Sequence, residues 1–139
     1  VDLLEGLAQF LHDRGLGIYT PDTTGGDVFL EHMPQLPDQC VALYLYAGDE
    51  PDSLLGYDQP SLQIRVRGTQ DPRVTRARAS ALYGTLHGLG PVTVPSGHRI
   101  LSCIGIQGGP IYIGQDGSNR HENTVNFRLE IRNKTSHRT

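Results

Sequence analysis

The sequence contains no tryptophan and only two cysteines, and no run approaches the roughly 20 consecutive apolar residues that a membrane-spanning helix needs. Missing tryptophan, together with seventeen glycines and nine prolines, points to many turns and a modest core. A small protein can offset such a core by burying surface against neighbours, so the composition leans towards assembly. The two cysteines are too few for a disulfide framework. Cys40 and Cys103 each lie in an apolar run, where a free thiol behaves as a small hydrophobe; a single disulfide between two predicted strands is the alternative. The acidic opening Val1-Asp2-Leu3-Leu4-Glu5 lacks the basic flank of a signal peptide, so the chain reads as soluble, not exported and without a membrane partner.

The motifs of chemistry are also missing. Six histidines are scattered, and none stands at metal-ligand spacing from another His or Cys. The glycine clusters at Gly84, Gly88 and Gly90, at Gly105, Gly108 and Gly109, and at Gly114 and Gly117 are not followed by Lys-Ser or Lys-Thr and lack dinucleotide-binding spacing. Asp116-Gly117-Ser118-Asn119 lacks the alternating carboxylates of a calcium loop and reads as a hairpin turn. Ser96 and His98 share a turn with no nucleophile elbow around it. A small hydrolase or nucleotide-binding enzyme would have to use His98, Asp116 and His121 near one glycine-rich edge, and that is the least favoured reading. No enzyme activity, cofactor or metal is predicted.

What is present begins with charge. The net charge is -3, yet residues 1–64 carry eleven acids against one base, a net of -10, and residues 65–139 carry eleven bases against four acids, a net of +7. Folding can interleave the halves within one subunit. If they stay on separate faces, identical subunits attract head to tail, and such contacts close into rings when the rotation permits.

The chain length and a 37% hydrophobic content fit one α+β domain over 1–132, followed by a polar tail, 133–139, that is mobile unless a partner orders it. Leu3, Leu4, Leu7, Phe10 and Leu11 predict a helix over about 2–14. Short strands or irregular segments follow at Ile18-Tyr19 and Val28–Leu30, around a turn at 21–26. Cys40–Ala47 and Pro60–Gly68 predict an antiparallel pair joined by the acidic loop Gly48–Asp58. Asp71-Pro72 opens a second helix over about 72–87 with an apolar stripe of Val74, Ala77, Ala81, Leu82, Leu86 and Leu89. Strands at His98–Gln107, Pro110–Gly114 and Asn123–Arg132 complete the order α-β-β-β-α-β-β-β. Such segregation predicts a mainly antiparallel sheet with two helices packed on one face.

The strand Leu62-Gln63-Ile64-Arg65-Val66-Arg67-Gly68, the Asp71-Pro72 helix start with Ala81-Leu82-Tyr83-Gly84-Thr85-Leu86, and Pro110–Arg120 running through Glu122-Asn123-Thr124 into Val125-Asn126-Phe127-Arg128-Leu129 occur in a familiar order. Over about residues 60–132 the chain resembles the tail terminator proteins of long-tailed bacteriophages, also labelled minor capsid or tail completion proteins. The resemblance implies a virion structural protein, assembled in the host cytoplasm and placed at the head-proximal end of the tail. It implies a homohexameric ring that caps the tail tube, stops its polymerisation and offers a head–tail joining surface. The implied partners are other copies of the chain, the tail tube protein, a head-completion or neck protein, and genomic DNA passing unread through the lumen. A head-completion or adaptor subunit is the alternative within the same virion. For the ring contacts, the charge pattern suggests Asp49, Glu50 and Asp52 of one subunit against Arg73, Arg76 or Arg78 of the next, and the hairpin residues Tyr112, Gln115 and Asp116 are further contact candidates.

Overall fold

A computed structural model describes residues 2–22 and 24–139; Val1 of the acidic opening and Thr23 of the predicted 21–26 turn lie outside the described residues. The first helix, α1 (Leu3–Asp13), starts where the Asp2 carboxylate accepts the Glu5 backbone N–H at 2.9 Å. That bond satisfies one of the four unpaired N–H groups of a helix start. Leu3, Leu4, Leu7, Ala8, Phe10 and Leu11 form its buried face. The second, α2 (Pro72–Leu86), is capped in the same way by Asp71, with proline in the first turn.

The buried stripe of α2 differs from the predicted one. Thr75, Ala79, Leu82 and Leu86 face the core, whereas Ala77 and Ala81 are exposed. A threonine can hold a core position here because its hydroxyl donates to the His121 carbonyl at 3.1 Å, so no polar atom is left unpaired.

Eight strands form one sheet among the described residues: β1 (Val28–Leu30), β2 (Cys40–Tyr46), β3 (Tyr57–Asp58), β4 (Ser61–Arg67), β5 (Val92–Thr93), β6 (Arg99–Gly105), β7 (Ile111–Gln115) and β8 (His121–Arg132). The predicted α+β class and order hold, with two two-residue strands, β3 and β5, added to them. Ile18-Tyr19 forms no strand. The sheet order is β1-β2-β4-β8-β6-β5, and every pairing is antiparallel except β1 with β2. The twelve-residue β8 is the spine. On one side it pairs with β4, flanked by β3 at its C-terminal end; on the other it meets β6 over its C-terminal half and β7 over its N-terminal part.

Alternation decides which face is buried. Val125, Phe127, Leu129 and Ile131 of β8, with Leu62, Ile64 and Val66 of β4, pack with both helices in one cluster. Their neighbours Ser61, Gln63, Arg65, Thr124, Asn126 and Arg128 line the other face. Across that open face, Tyr46 donates to Gln63, Gln63 to Asn126, and Asn126 to Gln107, a polar ladder spanning four segments. Cys40 and Cys103 are both buried and free, as favoured from sequence, and burial pushes the Cys103 thiol up to about 12.

Candidate interaction surfaces

Three surfaces stand out once the buried residues are accounted for. The first is the acidic loop after β2. Asp49 and Glu50 are exposed, and so are Leu54 (72%) and Leu55 (51%). The loop has its own internal order. The Asp52 carboxylate accepts the Leu54 and Leu55 backbone N–H groups at 2.6 and 2.7 Å, and these bonds, Leu55 first, hold its pKa below the ordinary aspartate value. The neck of the loop needs glycine, because a Cβ on Gly48 would collide with the Gln59 carbonyl. The base is stapled by the C-terminal segment: Arg138 binds the Asp58 carboxylate at 2.7 and 3.1 Å, and the Thr139 N–H donates to the Leu54 carbonyl at 3.0 Å. Residues 133–139 thus fold back onto this loop within the subunit, where the sequence suggested a mobile tail.

Of the three helix arginines, two already hold carboxylates of their own subunit. Arg73 pairs with the capping Asp71 at 2.9 Å, and Arg78 with Asp27 at 3.0 Å. Arg76 is exposed and exerts a Coulombic pull on Asp71. Among the described residues, three ion pairs join the acidic half of the chain to the basic half: Arg78–Asp27, Arg120–Asp38 and Arg138–Asp58. Folding therefore interleaves part of the segregated charge, and Asp49 and Glu50 make none of these pairs.

The second surface is the β7 edge. Among the described residues β7 pairs with β8 alone, so its outer edge takes no further strand and presents backbone groups to solvent. Ile111, Tyr112 (56% exposed) and Ile113 lie along it, and Ile104 and Ile106 are exposed nearby at the end of β6. A bulge at Ile113 shifts the register, and Gly114 takes φ +110° there, a conformation side chains disfavour. The hairpin candidates divide. Tyr112 and Gln115 converge on His121, at 2.9 and 3.4 Å. Asp116 is instead a turn staple, accepting the Ser118 and Arg120 backbone N–H groups, both at 2.9 Å, and pairing with the Arg120 guanidinium at 2.8 Å. Burial pushes its pKa up, but the bonds and charge of Arg120 together with the Ser118 N–H bond more than offset this, and the net direction is down. The left-handed residue of the turn is Asn119 (φ 61°), not Gly117, because Asn tolerates that conformation through its short polar side chain.

The third surface escaped the sequence reading. Residues 31–39 cross the open face of the sheet near Arg67. The Arg67 side chain, only 4% exposed, donates Nε to the Asp38 carbonyl at 2.9 Å and Nη2 to those of Pro34 and Pro37 at 2.6 and 2.7 Å. Arg120 grips the same segment through the Gln35 carbonyl and side chain, at 2.6 and 2.8 Å, and the Asp38 carboxylate at 3.0 Å. Beside this clasp lies a cleft of about 540 Å³ lined by Arg65, Arg67, Arg120, Asp116 and Glu122 among others.

The enzyme constellation does not form. His98 precedes β6, whose Arg99 pairs with Arg132 at one end of β8, whereas His121 begins β8 at the other. Eleven residues of extended chain separate those ends by roughly 36 Å. His98 instead meets Ser96 Oγ at 2.8 Å, and no group of three or more His, Cys, Asp or Glu among the described residues could hold a metal ion. No described helix is long and apolar enough to cross a membrane.

Comparison with protein families gives a match to the model described as "Bacteriophage tail terminator protein", covering residues 10–133. The chain belongs to the tail terminator family. It is accordingly a structural protein of the phage virion, associated with the tail. The match takes in the whole sheet, α2 and the last part of α1, and so extends well ahead of the stretch near residue 60 where the resemblance was legible. A search of curated proteins finds no match.

Proposed function

We propose that this tail terminator works as a homohexameric ring seated on the last ring of the tail tube. There it stops tube polymerisation and offers the surface to which a head-completion or neck protein attaches. DNA passes through the lumen without being read, and the ring is assembled in the host cytoplasm and located at the head-proximal end of the tail. The activity lies in interfaces and requires no catalytic group or cofactor.

The observation that carries this reading is the combination of family membership with an unpaired, apolar sheet edge at Ile111–Ile113. Exposed apolar edges invite pairing with another chain, and a monomer would be expected to cover or charge them. Asp49, Glu50, Arg76, Tyr112 and Gln115 belong to the contact set; Asp52, Arg73, Arg78 and Asp116 support it by holding their own elements in place. Disrupting the gene in the source virus and imaging the lysate tests the role. Overlong tubes unattached to heads are expected, whereas tails of regular length beside unjoined heads would assign the chain to the head side of the neck.

A further inference from the structure

The two ends of the strand bundle are chemically unlike. Where β2 leaves the sheet, Asp49 and Glu50 stand beside exposed Leu54 and Leu55. At the opposite end, two clefts flank the clasp, and from His32 to Leu36 alternate residues line each. His32, Pro34 and Leu36 line a cleft of about 630 Å³ with Ile18 and Phe29. Met33 and Gln35 line the arginine cleft. Successive side chains of an extended segment face opposite sides, so one short stretch builds both walls.

The arginine cleft is electrostatically incomplete. Its lining holds three guanidinium groups against two carboxylates. Arg65 is paired with Glu122, and Arg120 with both Asp116 and Asp38, which leaves Arg67 as the arginine of the lining without a carboxylate of its own. Arg67 is buried, is held only by carbonyl dipoles, and has no carboxylate within ion-pairing distance among the described residues. A cation withdrawn from water gains more from a nearby anion than a surface charge does. The adjoining cleft supplies apolar walls for an apolar side chain.

We propose that the 48–55 loop of one subunit docks on the 31–39 clasp of the next, with Asp49 and Glu50 at the mouth of the Arg65–Arg67 cleft and Leu54 and Leu55 against Ile18, Phe29 and Leu36. Loop and clasp lie at opposite ends of β2, seven residues long and so roughly 20 Å. One subunit therefore cannot satisfy itself. The contact is heterologous, each copy giving a loop and receiving one, and it closes into a ring when the rotation per subunit permits. This inference rests on the ring reading above and supplies the contact that reading requires.

The test places a thiol on each side in the full chain, with Leu36→Cys and Leu55→Cys combined. Both positions are exposed, and the native thiols are buried. Treatment of the assembled protein with a short bis-maleimide should give a ladder of covalent oligomers ending at the full ring, while either single variant gives none. Ring-sized particles by mass photometry without a ladder would overturn this contact and leave the ring intact. A chain that stays monomeric, alone and with tail tubes, would overturn both. A second variant needs no linker: Asp49→Lys with Glu50→Lys should weaken association at least tenfold, and unchanged association would also overturn the contact.

Discussion

The connections on either side of β2 both contain prolines and acids and both lie largely outside regular structure, yet they end up in opposite conditions. The 31–39 segment before the strand has its carbonyls drawn onto the buried guanidiniums of Arg67 and Arg120. The 47–58 segment after it exposes Asp49 and Glu50 and leaves two leucines in solvent. Local composition does not separate them. The difference is how many carbonyls an arginine from the sheet gathers: Arg67, at the last position of β4 and opposite Cys40 at the first of β2, lies beneath the clasp and donates to the carbonyls of Pro34, Pro37 and Asp38, whereas Arg132 of β8 reaches the loop at the Gly56 carbonyl. The loop is held at its neck and base, by Gly48, the Arg132 bond to Gly56, the Asp52 turn and the Arg138 staple. One connection is a fixed wall and the other a presented surface, as the division of labour in a head-to-tail contact requires.

The comparison can be broken most severely at Arg67. Arg67→Ala leaves several carbonyls without a donor, and thermal or urea unfolding should report a loss of about 3–5 kcal/mol. A loss below about 1 kcal/mol would mean that the clasp does not depend on it. Arg138→Ala should lower Tm by less than Arg67→Ala does, while hydrogen exchange rises sharply at residues 54–58 and 133–139 and stays unchanged at the clasp. Acid should loosen the loop end next. Arg138 holds the Asp58 carboxyl below its ordinary value of 3.8, and the Leu55 and Leu54 N–H groups do the same for Asp52. Their stabilisation is present above the unfolded pKa and is lost as pH falls through the depressed folded values. Exchange in the loop should therefore rise below about pH 4; a rise already at neutral pH would contradict the staple. Smallest of all, Asp49→Lys or Glu50→Lys should leave the monomer's stability within about 0.5 kcal/mol, because no bond among the described residues uses either side chain, while association changes.

Much of this architecture was legible because periodicity states it directly. The α1 leucines and the alternation of Val125, Phe127, Leu129 and Ile131 each fix an element and its buried face, and the Asp71-Pro72 start fixes where α2 begins. The α2 stripe was misread because alanines mark a buried face poorly, and Thr75 becomes a core residue only through a bond to His121, forty-six positions away. The clasp was illegible for a related reason. Arg67 follows the polar beat of an alternating strand, which by default means solvent, and only a distant segment crossing the open face makes it buried. A third of the contact candidates drawn from the sequence were similarly hidden, since Arg73, Arg78 and Asp116 look free in sequence but are satisfied by Asp71, Asp27 and Arg120.

The most direct test of the terminator role is to add the purified chain to its tail tube protein during polymerisation and measure tube lengths by electron microscopy. The account predicts that elongation stops, with a six-fold ring at one end of each arrested tube. Tubes that grow to the same lengths with and without the chain, and carry no ring, would contradict it.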